Sequence, residues 1–127
     1  MKYLLDTHTA IWALLDKTKL SEAAKAIIDD DSLYLSISII SAWEIAIKVS
    51  IGKLRFFGGS SFFLEKMKKN GLKLIGIEAS HIKCVETLPF IHRDPFDRLL
   101  VATAKADGLT ILTADENIHK YDVLTMW

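Results

Sequence analysis

The chain has 127 residues, half of them hydrophobic and a quarter charged, with a mean hydropathy of +0.24. That length and balance suit one domain with its own core and exclude a disordered chain. Sixteen basic residues offset sixteen acidic ones, which excludes a global field drawing in nucleic acid, so any phosphate contact has to come from a local patch.

Lys2 to Leu5 read as a short apolar strand, and after Asp6 the spacing turns helical at Ile11, Trp12, Leu14 and Leu15. A strand that ends in a carboxylate and passes into a helix is notable, because open α/β sheets bind ligands beyond the carboxyl ends of their strands. Ser21 and Glu22 open a second helical run that stops in the acidic turn Asp29, Asp30, Asp31. Leu33 to Ile37 has strand composition, and Ile40, Trp43, Ala46, Ile47 and Ile51 mark a helix that carries Glu44 and stops at Gly52.

Residues 53 to 63, KLRFFGGSSFF, read as a loop or mobile arm in which Phe56, Phe57, Phe62 and Phe63 either cover the core or face another chain. Leu64 to Lys69 is helical up to the stop at Asn70 and Gly71, Leu72 to Ile77 alternates like a strand, and Glu78 to Leu88 is a helix closed by Pro89. Asp94 followed by Pro95 is a strong helix start, with Phe96, Leu99, Leu100, Thr103 and Ala104 on the buried face and Gly108 as the end. Leu109 to Thr113 is a strand finishing near Asp115, and Val123 to Trp127 adds an edge strand. Strands alternating with helices predict one three-layer α/β domain over residues 1–127 with a mostly parallel central sheet.

Each acid has an ordinary structural reading. Asp6 caps a helix, Ser41 and Glu44 have capping-box spacing, Asp97 follows an Asp94 cap, and Asp115 is a turn residue. Together they imply more. Asp6 and Asp115 follow two apolar strands, while Glu44 and Asp97 sit in the first turns of helices that are otherwise mostly apolar. Four acids in one crevice repel one another unless a cation neutralises them, and Mg2+ or Mn2+ suits such an oxygen donor set. A carboxylate-held ion of that kind serves hydrolytic phosphoryl chemistry. Zinc suits the chain poorly, because His81 and Cys84 lack a second ligand pair.

The segments LLDTHTAIWALLD, ISAWEIAIKVSIGKL and HRDPFDRLLVATAKADGLTILTAD closely resemble the PIN-domain ribonucleases, in particular the VapC-type toxins of bacterial toxin-antitoxin pairs. The resemblance covers nearly the full length. It implies a PIN-like fold, a Mg2+-dependent endoribonuclease, Asp6, Glu44 and Asp97 as metal-binding acids, Asp115 as a more variable fourth, and Asp94 as a supporting acid. Thr7 and Thr113 are implied to hold those carboxylates or ordered water. It further implies a homodimer and a cognate antitoxin that blocks the crevice, with Phe56 to Phe63 as the candidate contact. Arg98, Arg93 and Lys48 are the basic residues best placed along the chain to meet RNA phosphates, Arg98 first among them. His8 reads as a packing or hydrogen-bonding residue, and Trp12 and Trp43 as core or interface aromatics.

Two rivals share parts of this pattern. A phosphoacceptor receiver domain expects paired acids after the first strand and a late lysine, where this chain has Asp6 with Thr7 and, later, Thr113. A non-catalytic RNA- or partner-binding protein of the same fold has no need of intact acids. An Asp-x-Asp phosphatase fails because His8 stands where the second acid belongs. The lone Cys84 cannot form an intramolecular disulfide and reads as a small buried apolar residue. Asp6 and His8 interrupt the N-terminal apolar run, and no uncharged segment reaches the roughly 18 residues of a membrane span, so a cytoplasmic protein without a membrane role is expected.

Overall fold

The computed structural model describes residues 1–127 as five strands and seven α-helices. Lys2–Leu5 (β1) leads into Thr7–Leu15 (α1), and a 3₁₀ turn at Lys17–Lys19 precedes Glu22–Ile28 (α2), Tyr34–Ser38 (β2) and Ile39–Ser50 (α3). Gly59–Lys69 (α4), Lys73–Ile75 (β3), Ala79–Thr87 (α5), Pro95–Asp107 (α6), Thr110–Leu112 (β4), Glu116–His119 (α7) and Thr125–Met126 (β5) complete the chain. No helix is long and apolar enough to cross a membrane.

The strands form one sheet in the order β3-β2-β1-β4-β5, and every neighbouring pair is parallel. Parallel neighbours require a crossover, and the helices supply it, so both faces of the sheet are covered. Alternation along β1 divides the core accordingly. Tyr3 and Leu5 join Leu35, Ile37, Phe63, Met67 and Leu112 on one face, while Leu4 joins Leu100, Val101, Ile111 and Ile118 on the other. This is the expected three-layer α/β arrangement, and it explains why β1 and β4 carry almost unbroken apolar runs.

Local chemistry places the helix starts. Ser21 Oγ accepts from Ala24 N at 3.0 Å, and Asp94 Oδ1 accepts from Phe96 N at 2.9 Å and Asp97 N at 3.1 Å, with Pro95 in the first turn of α6. Gly108 ends α6 at φ +68°, in the left-handed region that favours glycine. One expected cap is corrected: Ser38, not Ser41, caps α3, its Oγ accepting from Ile40 N at 3.1 Å. Short α7 went unrecognised in the sequence, because its four residues span too little of a helical period to register.

The expected arm over residues 53 to 63 is corrected as well, because it is half helix. α4 begins at Gly59, and Gly58 has φ +80° with room for no Cβ, which would lie 2.5 Å from Phe62 Cβ. Helical periodicity then turns Phe63 and Met67 into the core, where Phe56 also packs, with ring centroids 6.1 Å apart for Phe56 and Phe63. Phe56 and Phe63 are therefore core residues and not contacts for another chain. Phe62 is half-buried, and Phe57 is 93% exposed.

Candidate active site

The sheet reverses its strand order at β1: the chain proceeds through β2 and β3 on one side and returns to β4 on the other. A crevice opens at such a reversal, beyond the carboxyl ends of the two central strands. Asp6 leaves the end of β1 there, and Asp115 lies just past the end of β4. Asp6 is buried, and its Oδ1 accepts from Thr9 N at 2.8 Å while Thr113 Oγ1 donates to Oδ2. Thr113 Oγ1 accepts in turn from Asp115 N at 3.0 Å, and Asp115 caps α7 through Asn117 N at 2.8 Å. One hydroxyl thus ties the two strand ends together. Burial raises the Asp6 carboxyl above its ordinary value, opposed by the hydrogen bonds from Thr113 and Thr9.

α3 follows β2 at the same rim and brings Glu44 in, almost fully buried. Its Oε2 accepts from Lys48 Nζ at 2.7 Å, one helical turn on, whereas Oε1 is buried with no hydrogen-bond partner. A buried orphan carboxylate oxygen is costly and asks for a ligand. α6 supplies Asp97 in its first turn, behind the Asp94 cap. The Asp97 carboxyl is pushed up to about 8, first by burial and then by the negative charges of Asp94, Asp115, Glu44 and Asp6. Asp6 and Asp115 line one cavity and are linked through Thr113, and the Asp97 carboxyl feels the charge of both and of Glu44. His92 Nε2 sits 3.3 Å from Asp97 Oδ2, and His92 Nδ1 is 2.7 Å from the Tyr121 hydroxyl.

The donor set fits a hard divalent cation, being made wholly of carboxylate oxygens with one buried and unpaired. No three His, Cys, Asp or Glu side chains form a ready-made ligand cluster; Lys48 engages Glu44, and Thr9 N and Thr113 Oγ1 engage Asp6. Zinc has no place at His81, which is buried with both nitrogens engaged: Nδ1 accepts from Glu78 N at 3.1 Å and Nε2 faces Asp107 Oδ2 at 2.9 Å.

Other expected site residues fall differently. Thr113 does hold a carboxylate, but Thr7 Oγ1 donates to Ser41 Oγ at 2.9 Å and joins α1 to α3 instead. Arg98 is corrected outright as an RNA contact. It is buried, its guanidinium donating to Pro89 O at 2.9 Å and to the Tyr121 hydroxyl at 3.1 Å while lying 4.4 Å from the Phe90 ring centroid. Side chains on α6 one position apart diverge by about 100°, so Arg98 points away from the crevice that Asp97 enters. Arg93 is exposed beside the start of α6, and Lys48 is half-buried on Glu44. His8 is exposed, 5.9 Å from Trp12 between ring centroids, and with Asp6, Ala114 and Asp115 the two line a cavity of about 240 Å³. Trp43 is largely exposed and packs edge-on against Phe96 at 5.2 Å.

Tyr121 is the site neighbour that sequence reasoning missed. It lies far from Asp97 along the chain and belongs to no motif. The link from His92 to Asp97 was equally illegible, because a five-residue separation across a loop and a helix start gives no periodic signal.

A family model for the PIN domain matches residues 3–124. Ribonuclease VapC22 of Mycobacterium tuberculosis is 28% identical over 119 residues, which cover 93% of this chain and 90% of that protein. VapBC2 of Rickettsia felis, solved bound to a DNA fragment from its promoter, has a similar fold: TM-score 0.74 and 18% identity over 100% of this chain and 99% of that one. DNA-bound VapBC of Salmonella typhimurium is similar at TM-score 0.72 and 17% identity, over 99% of this chain and 97% of that one. Because the family match runs without a break from within β1 to beyond β4 and takes in every acid of the crevice, the chain belongs to the PIN domain family.

Proposed function

We propose that this protein is a divalent-metal-dependent endoribonuclease, using Mg2+ with Mn2+ as a substitute, and that it acts in the cytoplasm as the toxin of a toxin-antitoxin pair. The observation that carries the reading is Glu44 Oε1, buried with no hydrogen-bond partner, with the burial-raised carboxyls of Asp6 and Asp97 as companion acids. Crowded acids of this kind are relieved by holding a proton or by a cation, and only the cation leaves every carboxylate charged. The name of the M. tuberculosis relative, a ribonuclease, agrees with it.

Asp6, Glu44 and Asp97 hold the ion, with Asp115 as the fourth acid. When bound, the ion supplies an activated water and neutralises charge developing on the phosphodiester. Thr113 fixes the rotamer of Asp6, and Asp94 fixes the first turn of α6 and through it the placement of Asp97. Lys48 neutralises Glu44 at the rim, and with Arg93 it faces RNA phosphates. The protein works as a homodimer, and its antitoxin covers exposed apolar surface around Phe57 and the groove between α1 and α4 that Phe62 lines. That groove, with Leu14, Leu15, Met67 and Leu72, measures about 470 Å³.

The test is incubation of purified protein with tRNA, rRNA and mRNA panels, with and without Mg2+, beside Asp97→Asn. Metal-dependent fragments bearing 5′-phosphates are expected from the wild type and none from the variant. Cleavage that persists in Asp97→Asn, or a wild type that binds RNA with metal present and cuts none, overturns the reading; the second outcome favours a non-catalytic RNA-binding protein of this fold.

A further inference from the structure

We propose that His92, oriented by Tyr121 and Arg98, is a positioning residue that holds Asp97 in place for the divalent cation; this rests on the metal-binding reading above. Arg98 begins the chain of contacts. Its guanidinium is a donor only, and it is fixed on three sides: by Pro89 O at 2.9 Å, by the Phe90 ring at 4.4 Å and by the Tyr121 hydroxyl at 3.1 Å. Because Arg98 can only donate, the Tyr121 oxygen accepts from it, and the single phenolic hydrogen is left for another acceptor. His92 Nδ1, 2.7 Å away, is that acceptor. A neutral imidazole that accepts at Nδ1 carries its hydrogen on Nε2.

Nε2 lies 3.3 Å from Asp97 Oδ2, and that oxygen accepts the Nε2 hydrogen. Each group in the series therefore has one role, and every role is filled: Arg98 donates to Tyr121, Tyr121 to His92, and His92 to Asp97. The series engages only Oδ2 of Asp97, so Oδ1 stays available to a ligand. Such a brace has work to do once a bound cation ionises Asp97, since the negative charges of Asp94, Asp115, Glu44 and Asp6 then repel it. The brace is also firmly anchored. Arg98 and Tyr121 are buried, and only 13% of the His92 side chain is exposed. Partners that orient a metal ligand from behind typically govern metal affinity by about 10- to 100-fold.

The experiment measures Mn2+ affinity by calorimetry without RNA, on wild type, His92→Leu, His92→Gln and Tyr121→Phe, with circular dichroism melts as a check on folding. Affinity is expected to fall about 10- to 100-fold in His92→Leu. It recovers in large part in His92→Gln, whose amide places a donor near the position of Nε2, and it falls in Tyr121→Phe. The ¹H–¹⁵N long-range spectrum of the wild type is expected to show His92 as the Nε2–H tautomer, a readout that a merely space-filling histidine would not fix. Wild-type affinity in a folded His92→Leu or in Tyr121→Phe, no recovery in His92→Gln, or an Nδ1–H tautomer overturns the proposal while leaving the metal reading intact. A wild type that takes up no Mn2+ overturns both.

Discussion

Asp97 makes the site's electrostatics measurable in solution. In the folded, metal-free chain its carboxyl keeps its proton up to about pH 8, against a value of 3.8 for an unperturbed aspartate. Between those values the folded state binds more protons than the unfolded state, so stability is greatest on the acid side of the interval and declines as pH rises towards 8. Asp6, raised by burial, works in the same direction. Over the whole interval the loss is on the order of a few kcal/mol. Metal-free protein is therefore expected to melt at lower temperature at pH 8 than at pH 5, and Asp97→Asn to flatten that slope and melt above wild type at pH 8, as followed by circular dichroism. A wild-type slope of the opposite sign refutes this. Thr113 offers a second residue-level test: Thr113→Val removes the hydroxyl from a buried carboxylate and should cost about 1.5–3 kcal/mol in a urea titration.

Among the elements, α4 separates what a segment's composition suggests from what its geometry does. Four phenylalanines within residues 56–63 look alike in a list, yet the helix that starts at Gly59 sends Phe63 into the core and leaves Phe57, outside the helix, in solvent. Phe63→Ala is expected to cost about 3–5 kcal/mol, while Phe57→Asp stays within about 0.5 kcal/mol of wild type in the same denaturant measurement. If the antitoxin covers this face, Phe57→Asp and Phe62→Asp weaken its capture by the purified protein while RNA cleavage by the free enzyme is retained. Unchanged affinity for the antitoxin removes the arm from that interface. α6 shows the opposite case, a helix whose start and stop were legible, because Asp94, Pro95 and Gly108 act through their own backbone chemistry and need no distant partner; its buried face was legible only in part, since Arg98, Val101 and Ala102 are buried where Phe96 and Leu99 are only partly so.

For the whole molecule, the proposed metal site would couple stability to the ion. An ion that binds the folded chain and not the unfolded one raises stability by about 2.7 kcal/mol at one hundred times its dissociation constant. Scanning calorimetry with and without Mg2+ should show the melting temperature rise on addition. The rise should be larger at pH 6.5 in Asp6-, Glu44- and Asp97-intact protein than in Glu44→Gln, which removes one charge from the ligand set. Equal shifts in the two proteins would place the ion elsewhere.

The acids themselves, the strands that deliver Asp6 and Asp115 and the helix that begins at Asp94 were determined by local order along the chain: apolar runs, a proline in a first turn, a carboxylate at each junction. Their gathering into one crevice was decided by topology, since only the reversal of strand order at β1 sets the ends of β1 and β4 side by side. Tertiary structure alone also decided which neighbours matter. Arg98 adjoins Asp97 in sequence but turns away into the core, while Tyr121 and His92 come to the site through space. Adjacent residues on a helix point about 100° apart, so nearness along the chain is a poor guide to nearness at a site, and contacts across loops leave no period to read.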